Sequence, residues 1–164
     1  MGGLSHAHER GFVHRDIKPS NLLVGREGGK FAAKLADFGL AKNFENAGFS
    51  GMTRDGATLG TLAYMAPEQV IDARRATPSV DIYSAGATLY SLIAGRPPHD
   101  SVQANDLILA ILERDPEPLD RVNPAVSGEL ARVVKRALTI DPGERFSSAQ
   151  DLREALKPFA KSES

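Results

Sequence analysis

Cysteine is absent from these 164 residues, so the chain can form neither a disulfide nor a zinc site with cysteine ligands. Charge of one sign is not in excess, because 20 Lys and Arg stand against 21 Asp and Glu. This balance gives no general attraction to nucleic acid or to an anionic membrane, and we expect neither as a partner. Long apolar runs are missing too. The longest uncharged stretch with much apolar content, at residues 84–95, is shorter than the ~20 residues that cross a bilayer.

The composition that remains is that of an ordinary soluble globular domain. Hydrophobic residues make up 41% and charged residues 25% of the chain, which is one domain-sized unit by length. The amino terminus lacks the basic start and apolar core of a secretory signal. The absence of cysteine is compatible with a reducing compartment, and we predict a cytoplasmic location.

The segment at residues 14–21 contains the residue types that phosphoryl transfer to a hydroxyl requires. Asp16 can accept the hydroxyl proton, and the ammonium of Lys18 can offset charge on the transferred group. The amide oxygen of Asn21 can bind Mg²⁺. Pro19 disfavours a helix here, so we expect these side chains to lie on a loop.

Two further motifs follow. Asp37-Phe38-Gly39 begins sixteen residues after Asn21, and Ala66-Pro67-Glu68 comes later in the chain. One specified tripeptide occurs by chance in a chain of this length about 2% of the time, so the ordered set is not a coincidence. Residues 14–21 match H-R-D-x-x-x-x-N. Together the motifs resemble the C-terminal lobe of a eukaryotic-type (Hanks-type) serine/threonine protein kinase.

The resemblance implies a fold that is mainly α-helical with a small β-hairpin region, the kinase C-lobe without an N-lobe. Residues 1–160 would be the C-lobe portion of a catalytic domain, and residues 161–164 a frayed tail. The parts of that portion would be a catalytic loop at 14–21, an activation segment at 37–68 and a helical subdomain at 69–158.

Local patterns predict several elements of this fold. Short apolar runs are typical of strands at residues 12–13, 22–24 and 31–36. Thr77-Pro78 predicts the N-cap and first position of a helix, and apolar side chains nearly all round it as far as Ala94 predict its burial. Asp81 is the exception, an acid that needs partners if it is buried. Ser147-x-x-Gln150 predicts the capping box of the last helix.

By resemblance, Asp16 is the catalytic base and Lys18 contacts the transferring phosphoryl group. Thr61 would bond to both when a serine or threonine substrate is seated. The cofactor ATP, with Mg²⁺ or Mn²⁺, would be bound by Leu23, Asn21 and Asp37, the last two as metal ligands. The alternatives are structural: Asp16 could be a turn residue, Lys18 a solvated surface lysine, and the two metal ligands ordinary polar loop groups.

The resemblance also implies supporting residues. Arg15 would receive a phosphate on the activation segment, at Thr53 or Thr58, because a guanidinium can bind phosphate bidentately. The alternative is that both threonines are simply polar loop residues. Asp81 would hold the backbone of the H-R-D turn. The other structural positions are His14, Phe38, Gly39, Glu68 and Arg145, of which Glu68 and Arg145 would form an ion pair.

Three kinase motifs of the nucleotide site do not occur in these residues: the G-x-G-x-x-G loop, the strand lysine and its helix glutamate. We therefore expect little or no kinase activity from this chain alone. Its partners would be ATP, proteins that present serine or threonine, and the missing N-lobe. The alternative function is a kinase-like scaffold or pseudokinase that binds proteins without catalysis. The intact catalytic and metal-binding residues argue against that alternative, and the missing N-lobe argues for it in this chain.

Overall fold

The structure is a computed structural model that describes residues 2–28, 30–36 and 59–160. Its amino-terminal part contains helix α1 (Gly2–Glu9) and strands β1 (Leu22–Glu27) and β2 (Lys30–Leu35). The helices that follow are α2 (Leu59–Leu62), α3 (Pro67–Ile71), α4 (Pro78–Ala94), α5 (Ala104–Glu113), α6 (Leu119–Val122), α7 (Gly128–Ala137) and α8 (Ala149–Leu156). The predicted mainly helical fold with one small hairpin is confirmed. Within the described residues, no helix has the length and apolar character that crossing a membrane requires.

Helix α1 ends in a left-handed turn that also uses the backbone N–H of the residue after it. Gly11 has φ of +77°, and its N–H donates to the carbonyl of His8. The N–H of Phe12 donates to the carbonyl of Ala7, which completes the hydrogen-bond pattern of a Schellman motif. The strand predicted at residues 12–13 is wrong, because the Phe12 backbone donor belongs to the end of α1.

The two described strands form an antiparallel hairpin. Leu22 pairs with Leu35 at its open end, and Glu27 pairs with Lys30 beside the turn. Both predicted runs are therefore strands, although β1 continues beyond Val24 as far as Glu27 and β2 begins and ends one residue earlier than predicted. The hairpin begins directly after the 3₁₀ turn Pro19–Asn21, so it anchors one end of the catalytic-loop segment.

Helix α4 has boundaries that follow from its sequence. Pro78 occupies the first turn, and Gly95 ends the helix with φ of +75° while its N–H donates to the Ser91 carbonyl. The predicted capping role of the Thr77 hydroxyl is wrong, because that side chain makes no capping hydrogen bond. Proline at the first position has no N–H, so fewer backbone donors need a cap at this end.

The core lies around α4, which is buried on several sides. One cluster joins Val80, Tyr83, Ala87 and Tyr90 of α4 to Val134 and Leu138 at the end of α7. A second joins Ile82 to Ala137, Phe146 and Leu152. A third packs Met65 and Val70 against Leu107 and Ile111 of α5. Because α4 is packed against neighbours on several sides, none of its faces is left for polar side chains, and this explains its apolar sequence.

Gly86 sets how closely α4 and α7 approach. A Cβ at this position would lie 2.7 Å from the Cβ of Ala137. We expect Gly86→Ala to lower the free energy of unfolding by about 1–3 kcal/mol, because overpacking forces the two helices apart. Gly128→Ala is the matched control, since a Cβ there meets only Arg132 Nη1 at 3.6 Å and Asp120 Oδ2 at 3.9 Å, both ordinary contacts. Urea unfolding of both variants checks the prediction, and equal stability of the two would contradict it.

The last helix begins one residue later than its sequence pattern predicts. Ser148, not Ser147, is the N-cap: its hydroxyl oxygen accepts from the Asp151 N–H at 3.0 Å. Two overlapping Ser-x-x-polar patterns are present, and local sequence does not choose between them. The start at Ser148 is the one observed together with burial of Ala149 and Leu152, whose side chains lie in the core.

Candidate active site

The polar side chains of the catalytic-loop segment meet those of helix α2 in one cluster. Asp16 Oδ2 lies 3.2 Å from Lys18 Nζ. The same ammonium donates to Thr61 Oγ1 at 2.9 Å. Asn21 Nδ2 donates to the carbonyl of Asp16 at 2.8 Å and to its Oδ2 at 3.2 Å. The structure therefore brings together the four residues predicted as catalytic, although Thr61 is distant in sequence from the other three.

The amide of Asn21 has a defined orientation. Because both contacts of Nδ2 go to Asp16, the carboxamide oxygen is the atom that can face another partner. Asn21 is buried, so this orientation is held by its surroundings as well as by the two bonds. A fixed amide oxygen beside a carboxylate is the oxygen chemistry that a hard divalent cation such as Mg²⁺ prefers.

Asp81 holds the backbone of the catalytic loop through hydrogen bonds to two of its N–H groups. It is fully buried, and its Oδ2 and Oδ1 accept the N–H groups of His14 and Arg15, each at 2.8 Å. Oδ2 also lies 2.8 Å from Nε2 of His8 in α1. These contacts resolve the burial of an acid in an apolar helix, because hydrogen-bond donors surround the carboxylate.

His14 is fully buried and its hydrogen bonds define one tautomer. A carbonyl oxygen can only accept, so Nε2 carries the proton that it donates to the Ala36 carbonyl at 3.0 Å. The N–H of Asp16 lies 3.3 Å from Nδ1, which accepts. Both ring nitrogens are thus engaged by backbone groups, an arrangement that suits positioning of the loop rather than proton transfer.

Arg15 has an unusual backbone conformation that Gln69 helps to hold. Its φ is +68°, the only positive value at a non-glycine residue in the described ranges. The left-handed region costs an ordinary residue about 1–2 kcal/mol, so surrounding contacts must offset it. The Arg15 carbonyl accepts from Gln69 Nε2 at 2.9 Å. Gln69 is 1% exposed, and its Oε1 has no hydrogen-bond partner among the described residues.

Glu68 and Arg145 form a bidentate ion pair below the site. Arg145 Nη1 and Nη2 donate to the two Glu68 carboxylate oxygens at 2.6 and 2.8 Å. The other guanidinium donors bond to oxygens of Ser79, Thr139 and Ile140. The Arg145 side chain has no exposed surface, so its charge is compensated entirely by these partners.

The same guanidinium lies over an aromatic ring of the core. Its central carbon is 5.0 Å from the centroid of the Tyr83 ring, a cation–π distance. Burial raises the pKa of Tyr83 well above the ordinary phenol value, and the nearby Arg145 charge only partly opposes this. Tyr83 is therefore neutral at physiological pH and adds no third charge beside the ion pair of Glu68 and Arg145.

Several residues assigned from the sequence lie outside the described residues. These are Asp37, Phe38, Gly39, Thr53 and Thr58, together with the predicted tail at 161–164. Leu23 is described and lies on β1 with 61% of its surface exposed. A large apolar side chain so exposed beside the catalytic loop is compatible with contact to a ligand or another surface.

Sequence reasoning missed two residues that support the loop, His8 and Gln69. Neither stands in a motif whose spacing points to the loop, since each reaches it from a different helix. The one available signal was that a buried Asp81 needs donors, and this signal does not say which helix supplies them. Gln69 directly follows the Ala66-Pro67-Glu68 motif, but adjacency alone carries no contact information.

A cavity of about 600 Å³ borders the segment at residues 14–21, because Ile17, between Asp16 and Lys18, is one of its lining residues. Its walls come from α1, the hairpin and the helices α4, α7 and α8, and most of them are apolar. None of the residues assigned to the chemistry lines it. Cavity size therefore does not locate the candidate active site, which is identified by the polar cluster around Asp16.

Comparisons with known proteins agree with the geometry. The profile of the protein kinase domain matches residues 1–157. The chain is 36% identical over 156 residues to serine/threonine-protein kinase pkn2 of Myxococcus xanthus, covering 94% of this chain and 19% of that protein. It is 36% identical over 160 residues to serine/threonine-protein kinase PknL of Mycobacterium tuberculosis H37Rv, covering 98% of this chain and 38% of that protein.

A solved structure shows the same arrangement of elements. The crystal structure of Rad53 1-466 in complex with AMP-PNP matches with a TM-score of 0.70 and 26% sequence identity. The match covers 92% of this chain and 36% of that chain. The present chain thus spans well under half the length of each of these proteins.

Proposed function

This chain belongs to the protein kinase family, and from that premise we propose that its catalytic loop transfers the γ-phosphoryl group of ATP to serine and threonine hydroxyls of proteins. The relatives described above are named serine/threonine protein kinases. The observation that carries the proposal is the contact of Asp16 with Lys18, whose ammonium is bound in turn by Thr61. A carboxylate next to a fixed cation suits the attack of an alcohol on a phosphoryl group.

In this reaction Asp16 accepts the proton of the substrate hydroxyl while the oxygen of that hydroxyl forms a bond to the γ-phosphorus. The bond from that phosphorus to the oxygen of the leaving ADP breaks in the same step. Lys18 Nζ, 3.2 Å from the Asp16 carboxylate, offsets the charge on the transferred group. The bond from Lys18 to Thr61 restricts the long lysine side chain, so its ammonium is positioned before substrate arrives.

Asn21 and Asp37 are the proposed ligands of a divalent metal, Mg²⁺ or Mn²⁺, and the family in general uses ATP with such an ion. The fixed amide oxygen of Asn21 fits this ligand set. When bound, the ion would neutralise negative charge on the ATP phosphates. The contribution of Asn21 is a preset oxygen, because its Nδ2 is tied to Asp16. Leu23, exposed on β1, is the proposed apolar contact for the nucleotide.

We also propose a regulatory contact and a place for the chain in a larger domain. Arg15 would bind a phosphate on Thr53 or Thr58, because a guanidinium forms bidentate, charge-assisted bonds with phosphate. The chain would correspond to the C-lobe portion, because its residues contain neither the glycine loop nor the strand lysine of the nucleotide site. For the same reason we expect little or no turnover from the 164-residue chain by itself. The proposed location is the cytoplasm, where ATP is available.

A chimera tests the proposed function. Residues 1–160 of this chain replace the aligned region of Mycobacterium tuberculosis PknL, and phosphorylation of a serine- or threonine-containing peptide is measured with Mg²⁺ and ATP. We expect turnover within the range of protein kinases, on the order of 1–100 s⁻¹, and far less from the 164-residue chain alone. A folded chimera that binds ATP without transferring phosphate would instead favour the scaffold function. Thermal unfolding of the chimera separates that result from simple misfolding.

A further inference from the structure

Gln69 is in contact with the catalytic loop without touching any group assigned to the reaction. Its Nε2 donates to the carbonyl of Arg15 at 2.9 Å, across 54 positions of sequence. We propose that Gln69 is a positioning residue, which holds the Arg15–Asp16 peptide so that the Asp16 carboxylate faces Lys18 and Asn21. This proposal rests on the proposed function, because it assigns a purpose to the position of Asp16.

The backbone conformation at Arg15 sets the direction in which the following residue, Asp16, leaves the loop. Arg15 lies in the left-handed region, with φ of +68°, and the next side chain in the chain is that of Asp16. The N–H of Arg15 is held by Asp81 at 2.8 Å, and its carbonyl is held by Gln69. A residue in a sparsely populated conformation stays there only when its neighbours restrain it. Gln69 supplies that restraint on the carbonyl side.

Gln69 is itself rigidly placed. It lies on α3 directly after Glu68, whose carboxylate accepts both bonds of the buried Arg145 pair. The Gln69 side chain is 1% exposed, so it has little freedom to adopt another rotamer. Through the Glu68 ion pair and the Gln69 hydrogen bond, α3 therefore connects Arg145 to the backbone of the catalytic loop.

The unsatisfied oxygen of Gln69 argues against a role in packing alone. Oε1 is buried without a partner among the described residues, which is unfavourable for folding. An apolar side chain of similar size would fill the same space without burying that oxygen. The feature that the Gln69 amide has and an apolar side chain lacks is the Nε2 donor, which forms the hydrogen bond to the Arg15 carbonyl.

The test compares Gln69→Met with the parent in the 164-residue chain, using amide hydrogen exchange. We expect exchange of the Arg15 and Asp16 amides to accelerate about tenfold or more, because the loop opens locally. Exchange in α4 should stay the same, and the unfolding midpoint should change by no more than about 2 °C, because Met fills the space and removes the unpaired oxygen. Gln150→Met is the matched control, since Gln150 is exposed and its side chain donates a hydrogen bond to Glu154 Oε1 at 2.6 Å, not to the catalytic loop.

Two outcomes would overturn the proposal. One is unchanged exchange at the Arg15 and Asp16 amides. The other is a large fall in the unfolding midpoint together with faster exchange throughout α4, which would make Gln69 a packing residue. If Gln69→Met does not fold, Gln69→Leu provides the same comparison with a stiffer side chain.

A second measurement in the PknL chimera separates this proposal from the proposed function. There Gln69→Met should lower kcat about tenfold while KM for the peptide stays within about twofold, because Asp16 is displaced but substrate contacts are not. An unchanged kcat in an active chimera would overturn the positioning role. If no chimera transfers phosphate, the proposed function fails, and the exchange experiment still decides whether Gln69 holds the loop.

Discussion

Replacing Arg145 with methionine is expected to lower the free energy of unfolding by about 3–5 kcal/mol. The guanidinium donates to both carboxylate oxygens of Glu68 and to backbone oxygens at three further residues. Methionine keeps most of the aliphatic stem but none of the donors. The Glu68 side chain is only 14% exposed, so its carboxylate would lose its cation in a place that water reaches poorly. Guanidinium or urea unfolding of the purified chain measures the loss.

An exposed ion pair of the same chemistry is the control for Arg145. Arg96 Nη2 bonds to Glu117 Oε2 at 2.6 Å, but both side chains are about half exposed. Arg96→Met should cost no more than about 1 kcal/mol, because solvent screens the pair and hydrates the remaining carboxylate. The double variant Glu68→Leu/Arg145→Met should be more stable than the sum of its single changes predicts, since it strands no charge. Similar losses for Arg145→Met and Arg96→Met would contradict this account.

Replacing Asp16 with asparagine is expected to slow phosphoryl transfer in the PknL chimera by about 10²–10⁴-fold. The amide has nearly the shape of the carboxylate, and its oxygen can still accept from Lys18 Nζ. It cannot take the proton of the attacking hydroxyl, so the loss should appear in kcat rather than in KM for ATP. Steady-state kinetics with varied peptide and varied ATP measure both constants.

The control for Asp16 is another aspartate that contacts a lysine. Asp115 Oδ2 lies 3.3 Å from Lys135 Nζ, and both side chains are more than half exposed. Asp115→Asn should leave kcat within about twofold, because Asp115 pairs with Lys135 and not with a residue assigned to the reaction. A kcat for Asp16→Asn close to that of the parent would show that Asp16 is a turn residue and not the base. Thermal unfolding of each variant verifies that the proteins compared are folded.

Features that depend on neighbouring residues were predictable from the sequence. The limits of α4 follow from Pro78 and Gly95, since a fixed φ begins a helix and a left-handed glycine ends it. The set of catalytic-loop side chains follows from a short motif whose residues are only a few positions apart. Predictions failed where two local patterns competed, as at Ser147 and Ser148, or where a backbone donor was already used, as at Phe12.

The sequence by itself determined which chemical groups this protein possesses: a carboxylate, an ammonium and an amide in one segment, and an acid in an otherwise apolar helix. Only the tertiary structure decided how these groups are held. Thr61 reaches Lys18 across 43 positions, Gln69 reaches Arg15 across 54, and His8 reaches Asp81 across 73. Such contacts depend on how α1, α2 and α3 pack around α4, and no spacing along the chain encodes a distance set by that packing.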